Sequence, residues 1–390
     1  MNRVSETELI CQFMREYAVV TGLDPAAASP RRYLWTDAFA VCNYLGLFEQ
    51  TGDAMFRELA LRLIDQVHHT LGRHRKDDPR TGWISGLSPH EGELHPTAGG
   101  LRIGKALPER GIHEPYDEPK EWDRDGQYYH YLTKWMHALC RAASVTRRPA
   151  YITWAIELAC TAHARFTYMP PSGDRKRMYW KMSIDLTRPL VASMGQHDPL
   201  DGLITYHELQ NAAARDPKQV QPVLLREITD MDGISRTMPL PTGDPLGIGG
   251  LLFDASRIVR LMRQGDSFYP GLLEDIIRSA LAGLESFSSS GYLGLPASHR
   301  LAFREFGLSI GLAGIDTIPE WIRQSPELFR KPDVLHNQVL ALRDYLPLRE
   351  MIEQFWLDER NRKSGTWTGH REINMVMLAT SLAPEGFLGT

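Results

Sequence analysis

Cysteine is scarce in this sequence, and the few cysteines lie far apart. The 390 residues contain four, Cys11, Cys42, Cys140 and Cys160, and none of them forms a Cys-x-x-Cys pair. A disulfide-dense domain or a typical zinc site would need closer spacing. Residues 1–9 also lack a basic segment followed by an apolar one, as a secretory signal would have. We therefore expect reduced thiols in a cytoplasmic protein.

Long apolar runs and an excess of charge of one sign are missing as well. No stretch of the sequence approaches the roughly 20 apolar residues that a membrane span requires. Lys and Arg number 44 and Asp and Glu number 48, which gives a formal net charge of −4. This balance gives no electrostatic reason to expect a nucleic acid or a membrane as a partner. We expect no cofactor, and the sequence leaves the oligomeric state open.

Strand-like alternation is hard to find, whereas helical periodicity runs along the whole chain. Some segments are apolar nearly all round, as in helices covered on every side, and others have one charged face. The two kinds alternate, six of each. Covered helices are predicted at 33–48, 126–144, 178–194, 246–264, 301–314 and 370–382. Half-exposed helices are predicted at 5–21, 53–71, 149–166, 218–230, 270–287 and 345–359.

The alternation predicts one closed domain over 1–390, because no single helical hairpin could bury its own inner face. The fold class is all-α, an (α/α)6 toroid in which the first helix pairs with the last covered helix. In this alternation, and in the run RRYLWTDA at 31–38, the sequence resembles the six-hairpin glycosidase-like superfamily. That superfamily includes glycoside hydrolases, lyases and the N-acylglucosamine 2-epimerase group. The resemblance implies a carbohydrate-active enzyme with a small-molecule or oligosaccharide substrate.

Charged and aromatic side chains recur at the amino-terminal ends of the covered helices, where free N–H groups form a polar surface. Carboxylates, guanidinium groups and flat rings in one cavity suit a polyhydroxylated ligand. A glycoside hydrolase needs one carboxylic acid to protonate the leaving oxygen and a second carboxylate to activate water. We predict Asp125 as the acid, on the expectation of an apolar wall around it, and Glu372 as the base, with Asp37 as the alternative.

Other residues near the same helix ends are predicted to hold the substrate. The aromatic candidates are Trp35, Trp122, Tyr179, Trp180 and Trp367, and the cationic candidates are Arg102, Lys105, Arg110 and Arg124. Three of the cations, Arg102, Lys105 and Arg110, lie in a segment of 54 residues, 72–125, for which no secondary structure is predicted. Loops of this length usually have a function, so we expect a lid or wall over the pocket.

Two motifs in this segment do not support other chemistry. The phosphate-binding pattern around Gly104 and Lys105 lacks the required Ser or Thr. His90, Glu91 and His95 have the wrong spacing for a zinc helix, so no metal site is expected.

Two further functions fit the same pattern. The Gly-rich run that leads to His370 resembles the approach to a late inner helix in the epimerase group. This resemblance implies a sugar epimerase or isomerase with His370 as one acid–base residue and His299 or His207 as the other. The third possibility is a non-catalytic toroid that binds a glycan or a protein.

Overall fold

Two compact units make up the protein. The computed structural model describes residues 6–171, 173, 175–215 and 224–389. One unit comprises Ala18–Met238, and the other comprises Met1–Tyr17 together with Pro239–Gly389. They are called the 18–238 unit and the 239–389 unit below. That the whole of 1–390 forms a single domain, with 72–125 as an insertion, stays a prediction.

The first helix of the described chain is α1 (Glu6–Val20). The helices of the 18–238 unit follow as α2 (Leu34–Thr51), α3 (Ala54–Leu71), α4 (Pro89–Leu94), α5 (Glu118–Asp123), α6 (Tyr129–Thr146), α7 (Ala150–Phe166), α8 (Asp198–Ala214) and α9 (Leu225–Ser235). Three pairs pack as hairpins, α2 with α3, α6 with α7 and α8 with α9, while α2, α6 and α8 contact one another in a row. Helices α2, α6 and α8 are therefore the inner, covered helices. Nearly every side chain of α2 is buried, whereas α3 buries only one face.

Short strands occupy the region where a covered helix was predicted at 178–194. The strands are β1 (Gln127–Tyr128), β2 (Thr167–Tyr168), β3 (Arg177–Met178), β4 (Lys181–Met182) and β5 (Pro189–Val191). They form antiparallel sheets of order β1-β4-β5 and β2-β3. The helix prediction is wrong here, because Pro189 is incompatible with a helix interior and Leu186 has a left-handed backbone, with φ of 58°. The third inner helix is α8 instead.

The segment 72–125 is mostly irregular, but it also contains two short helices, α4 and α5, that were not predicted. Helix α4 packs on the indole of Trp83, and Gly92 lies at the contact. A Cβ added at Gly92 would lie 2.0 Å from Trp83 Cδ1. The close approach of α4 to Trp83 therefore requires glycine at position 92.

The helices of the 239–389 unit are α10 (Pro245–Arg263), α11 (Leu272–Ser289), α12 (Ala302–Gly314), α13 (Ile318–Gln324), α14 (Pro332–Leu342), α15 (Pro347–Leu357), α16 (Glu359–Arg362), α17 (Gly365–Thr368), α18 (Arg371–Leu382) and α19 (Glu385–Leu388). Here α10, α12 and α18 form the inner row, with α11 packed on α10 and α15 on α12. An ion pair between Arg371 and Glu16 joins α18 to α1, as predicted for the first and last helices.

Helices α10 and α12 approach so closely that glycine is needed between them. A Cβ added at Gly249 would lie 2.0 Å from the Gly307 carbonyl oxygen.

Of the predicted helix 218–230, residues 218–223 lie outside the described part of the chain. Across the described residues, no helix combines the length and the apolar character needed to cross a membrane.

Candidate active site

The amino-terminal ends of α2, α6 and α8 meet in the 18–238 unit. The phenol oxygens of Tyr33, which precedes α2, and Tyr131, in the first turn of α6, are 2.6 Å apart. Nδ1 of His130 in the same turn of α6 lies 3.7 Å from Oδ1 of Asp198, the first residue of α8. Three inner helices therefore present their polar ends to one place, as the sequence pattern predicted for helix starts in general.

His130 and Asp198 form an unsatisfied pair. At 3.7 Å their facing atoms are beyond hydrogen-bond distance. Within the described part of the chain, His130 Nδ1 and Asp198 Oδ2 are buried and have no hydrogen-bond partner. The side chains as a whole are 31% and 10% exposed, so ligand can still reach them. Because buried polar atoms are nearly always paired, this pair has hydrogen-bonding capacity left for a ligand.

Aromatic rings surround His130 and form what we call the aromatic cluster: Tyr33, Trp122, Tyr128, Tyr131 and Trp180. The His130 ring centroid lies 4.8 Å from that of Tyr131 and 6.5 Å from that of Trp180, which is nearly parallel to it. Trp122 packs edge-on against Trp180 at 5.1 Å and is 48% exposed. The cluster offers flat apolar faces beside a titratable pair, an arrangement that suits the C–H face of a sugar ring.

Asp201, one turn beyond Asp198 on α8, differs from it in being fully paired. Its carboxylate accepts hydrogen bonds from the Thr133 hydroxyl at 2.5 Å and from Lys134 Nζ at 2.8 Å. The charge of Asp201 is thus held by an ammonium group, whereas Asp198 keeps an oxygen without a partner.

A buried lysine supports the cluster from below. Lys181 Nζ donates to Glu121 Oε1 at 3.0 Å and to the carbonyl oxygens of Glu121 and Arg124, and it lies 5.3 Å from the Tyr128 ring centroid. Burial lowers the pKa of Lys181, although the hydrogen bond to Glu121 opposes this shift. Burial likewise raises the pKa of Tyr128, which keeps that phenol neutral. These contacts fix α5, and with it Trp122, against β1 and β4.

Asp125, the predicted acid, lies among cations and N–H donors rather than against an apolar wall. It is fully buried; Oδ2 accepts hydrogen bonds from Arg102 at 2.7 Å and Arg75 at 3.1 Å. Its Oδ1 accepts from the backbone N–H groups of Gly104 and Gly126, both at 3.0 Å. Both carboxylate oxygens are occupied by these donors, so the contacts favour a role in anchoring the long loop.

Two other predicted residues, Asp37 and Trp35, also make their contacts within the protein. Asp37 accepts a hydrogen bond from the Tyr33 backbone N–H at 2.9 Å and lies 3.3 Å from Arg32, with both charged side chains fully buried. Trp35 is 6% exposed and packs on Phe39. Asp37 therefore stabilises the start of α2, and Trp35 belongs to the core.

The predicted cations and Tyr179 are distributed around the cluster rather than within it. Lys105 Nζ lies 5.3 Å from the Tyr33 ring centroid, which places it at the edge of the aromatic cluster. Arg110 binds Glu121 and the Leu190 carbonyl oxygen, Arg102 binds Asp125 as above, and Arg124 forms a two-pronged ion pair with Glu114. Tyr179 stacks on Tyr168, with ring centroids 4.1 Å apart.

Three further predicted residues, His370, Trp367 and Glu372, belong to the 239–389 unit. His370 is exposed, and its ring lies 3.3 Å from the Thr366 carbonyl oxygen and beside the Phe303 ring. Trp367 is only 4% exposed and stacks on Trp356, so it packs inside this unit instead of presenting a face to a ligand. Glu372 lies half-buried in the first turn of α18, and its role as a base stays a prediction.

No metal-binding group of three or more His, Cys, Asp or Glu side chains occurs within the part of the chain that the structure describes. In the segment that looked like a zinc helix, His95 Nδ1 lies 2.7 Å from Glu157 Oε2 instead.

Solved structures resemble this chain over nearly its whole length. The GH76A α-1,6-mannanase from Salegentibacter sp. superposes with a TM-score of 0.54 and 10% identity, covering 97% of this chain and 99% of the mannanase. A GH76 α-mannanase from Bacteroides thetaiotaomicron gives a TM-score of 0.52 and 10% identity, with 98% and 97% covered. A cellobiose 2-epimerase from Spirochaeta thermophila gives 0.47 and 11%, with 96% and 98% covered.

The chain has the six-hairpin glycosidase-like fold. The all-α (α/α)6 class predicted from helix alternation is thereby confirmed. No protein-family model matches the sequence, and no curated protein is similar to it.

The six-hairpin fold explains why His130 and Asp198 were missed. Both lie at inner-helix starts, but the third inner helix had been predicted at 178–194, so Asp198 was not assigned to a helix start. The dipeptide Asp198-Pro199 was an available signal, since Asp in the first turn and Pro at one of the first helical positions often open a helix. The sequence around His130 gives no signal of a site, because this histidine follows two tyrosines in an apolar run.

Proposed function

We propose that this protein is a carbohydrate-active enzyme, and specifically a sugar isomerase or epimerase in which His130 transfers the proton. The proposal rests on one observation, the unsatisfied His130–Asp198 pair enclosed by aromatic rings at the ends of three inner helices. An imidazole titrates near neutral pH, so it can both accept and return a proton under ordinary conditions.

The pair divides the chemistry between its two members. His130 removes a proton from the carbon next to a sugar carbonyl; the C–H electron pair forms the C=C bond of an enediolate, and the carbonyl π electrons move onto its oxygen. The imidazolium then returns a proton to carbon, and in an isomerisation the hydroxyl proton passes to the former carbonyl oxygen. Asp198 faces Nδ1 of the same imidazole at 3.7 Å, where it orients the ring and stabilises the imidazolium that forms. One proton leaves carbon and one returns, so no other reactant is consumed, and the proton held on the imidazolium can exchange with solvent in between.

The surroundings of the pair support a neutral polar substrate. Trp180 and Trp122 offer apolar faces for the C–H side of a sugar ring. Charges of both signs lie next to the pair, because Lys134 Nζ and Asp201 Oδ1 form an ion pair at 2.8 Å. A site with charges of both signs in contact suits hydroxyl groups better than a polyanion.

Glycoside hydrolysis is the second candidate, and Asp198 is the observation that favours it. Asp198 and Asp201 are carboxylates one turn apart at the start of α8, and Asp198 has an oxygen without a partner. In this proposal Asp198 takes the acid role that Asp125 was predicted to have, because Asp125 is held by two arginines. One of the mannanase structures contains α-1,6-mannotriose, so mannosides are the first glycosides to test.

Proton exchange with solvent separates the two reactions. The protein is incubated in D2O with glucose, mannose, cellobiose and α-1,6-mannotriose, and NMR follows deuterium at the carbon next to the carbonyl and the appearance of new sugars. An isomerase incorporates deuterium, and His130→Asn lowers that rate by about 10²–10⁴-fold. The control is His113→Asn, at an exposed histidine of the long loop, which should behave as wild type.

Two results would contradict the isomerase proposal. Release of free sugars from the glycosides without deuterium at that carbon, with Asp198→Asn more damaging than His130→Asn, would replace isomerisation by hydrolysis. Activity that survives in both variants would remove this site from the chemistry.

A further inference from the structure

A cavity lies between the long loop and the β4–β5 turn of the 18–238 unit. Its volume is about 380 Å³, near the lower end of the roughly 300–1,000 Å³ found for ligand pockets. The long loop forms one side through residues 75–80 and 108–112, and the turn between β4 and β5 forms the other through residues 183–188. None of these residues takes part in the chemistry proposed above.

The wall of this cavity is charged but balanced. Four arginines and four carboxylates line it, so their formal charges cancel: Arg75, Arg80, Arg110, Arg188, Asp77, Asp78, Glu109 and Asp185. A pocket without excess charge has no preference for an anion or a cation. It offers donors and acceptors side by side, which is what vicinal hydroxyl groups require.

Ion pairs hold the acceptors rigidly in place. Arg80 binds three carboxylates at once, Asp78 at 2.7 Å, Asp185 at 2.6 Å and Glu109 at 3.0 Å. Glu109 also accepts a hydrogen bond from the Ile184 backbone N–H at 2.6 Å, which ties the loop to the β4–β5 turn. These carboxylate oxygens still have lone pairs that can accept from a ligand hydroxyl. Because the ion pairs already hold the side chains in place, ligand binding costs little side-chain entropy.

Arg188 supplies donor groups that remain available. Its Nη2 donates to the Arg110 carbonyl oxygen at 2.5 Å, whereas Nε and Nη1 have no partner within the described residues. Pro79, Pro108 and Ile112 add apolar surface to the same cavity. A guanidinium edge, fixed carboxylates and an apolar wall together match a neutral sugar unit.

A shared carboxylate joins this cavity to the aromatic cluster. Glu121 Oε2 accepts from Arg110 Nε of the cavity wall, and Glu121 Oε1 accepts from Lys181 Nζ beneath Tyr128, both at 3.0 Å. Two direct contacts through Glu121 therefore connect the cavity wall to the lysine beneath the aromatic cluster.

We propose that the cavity is a second sugar-binding subsite, so that the preferred substrate is a neutral oligosaccharide whose reactive unit lies on the aromatic cluster. The inference rests on the proposed function and adds the substrate class. Arg188 is the specificity-determining residue: its Nε and Nη1 groups bind hydroxyl groups of the distal unit.

Titration calorimetry with pairs of sugars tests this subsite. The probes are mannose with α-1,6-mannotriose, glucose with maltotriose, and glucose with cellotriose. For at least one pair the trisaccharide should bind wild type about ten-fold more tightly, and Arg188→Ala should remove about ten-fold from that ratio, as expected for hydrogen bonds to a charged group. Arg165→Ala, at an exposed arginine of α7, is the matched control and should leave the ratio unchanged.

A second variant guards against an indirect effect of removing Arg188. Ile112 is 76% exposed at the rim, so Ile112→Trp narrows the cavity without disturbing the core, and it should lower the same ratio. The subsite is overturned if no trisaccharide binds more tightly than its monosaccharide, if no probe binds, or if Arg188→Ala matches Arg165→Ala.

The outcomes also separate the two proposals. Solvent exchange into monosaccharides without any gain for a trisaccharide rejects the subsite and leaves the isomerase. Trisaccharide binding that depends on Arg188, with neither exchange nor cleavage, rejects the proposed chemistry and keeps the subsite.

Discussion

Each unit has three inner-helix starts, and the charged residues at these starts are used differently. In the 18–238 unit, His130 Nδ1 lies 3.7 Å from Asp198 Oδ1. The buried atoms His130 Nδ1 and Asp198 Oδ2 have no hydrogen-bond partner among the described residues. In the 239–389 unit, Arg300 binds both carboxylate oxygens of Glu305 at the start of α12, and Glu305 also accepts from Trp356 Nε1. The first pair is open to a ligand and the second is closed on itself.

A charged residue at a helix start is therefore not evidence of a site until its hydrogen-bond partners are known. Arg300 and Glu305 are charged residues at an inner-helix start, and they are more deeply buried than His130 and Asp198. Their donors and acceptors are occupied by each other, by Leu293 and by Trp356, so they stabilise the unit. Only the pair with unused capacity can bind or react.

The largest expected effect tests this contrast through stability. Arg300→Leu leaves the carboxylate of Glu305 buried without its cation, which should cost about 3–5 kcal/mol of unfolding free energy. Asp198→Asn removes a charge that has no hydrogen-bonded partner, so it should change the unfolding free energy by less than about 1 kcal/mol. Urea unfolding measures both. Equal losses for the two variants would contradict the division into open and closed pairs.

Most of the fold follows from local rules, whereas the site depends on partners that are distant in sequence. Helices such as α2 and α3 were predictable because a periodic apolar face must be buried. The failure at 178–194 came from an apolar run that pairs as short strands with β1, a partner some 50 residues earlier in the chain.

The identity of the site residues could not be read from the same pattern. Asp125 looked like a free carboxylate at a helix start, but Arg75 and Arg102, 50 and 23 residues away, occupy it. Conversely, nothing local to His130 indicates that Asp198 lies beside it. The pattern predicted polar and aromatic residues at the inner-helix starts, but not which of their polar atoms lack a hydrogen-bond partner among the described residues.

Acid should destabilise the 18–238 unit before the 239–389 unit. His68 of α3 is buried and accepts a hydrogen bond from Trp135 Nε1; burial lowers the pKa of His68 to about 3. The unfolded chain takes up a proton near pH 6.5 and the folded chain does not, so stability falls as pH drops from about 6.5 towards 3, by about 1.4 kcal/mol per pH unit.

Hydrogen exchange read by mass spectrometry locates this loss. Between pH 6.5 and 4, after correction for intrinsic rates, α3 and α6 should lose more protection than α10 and α12. His68→Gln, which can still accept from Trp135 but does not titrate, should reduce the difference. An equal response in both units would show that His68 does not govern acid sensitivity.

The smallest expected effect concerns the exposed edge of the aromatic cluster. Trp122 is 48% exposed and packs edge-on against Trp180, so its indole contributes contact area to a sugar rather than to the core. Trp122→Ala should weaken sugar binding by about 1 kcal/mol, or roughly five-fold, while urea unfolding stays within about 1 kcal/mol of wild type. The matched control is Trp321→Ala, at a partly exposed tryptophan beside Arg263 in the 239–389 unit, which should leave affinity unchanged. If the control weakens sugar binding as much as Trp122→Ala does, the ligand is not held by the cluster, and the open pair of the 18–238 unit loses its assigned role.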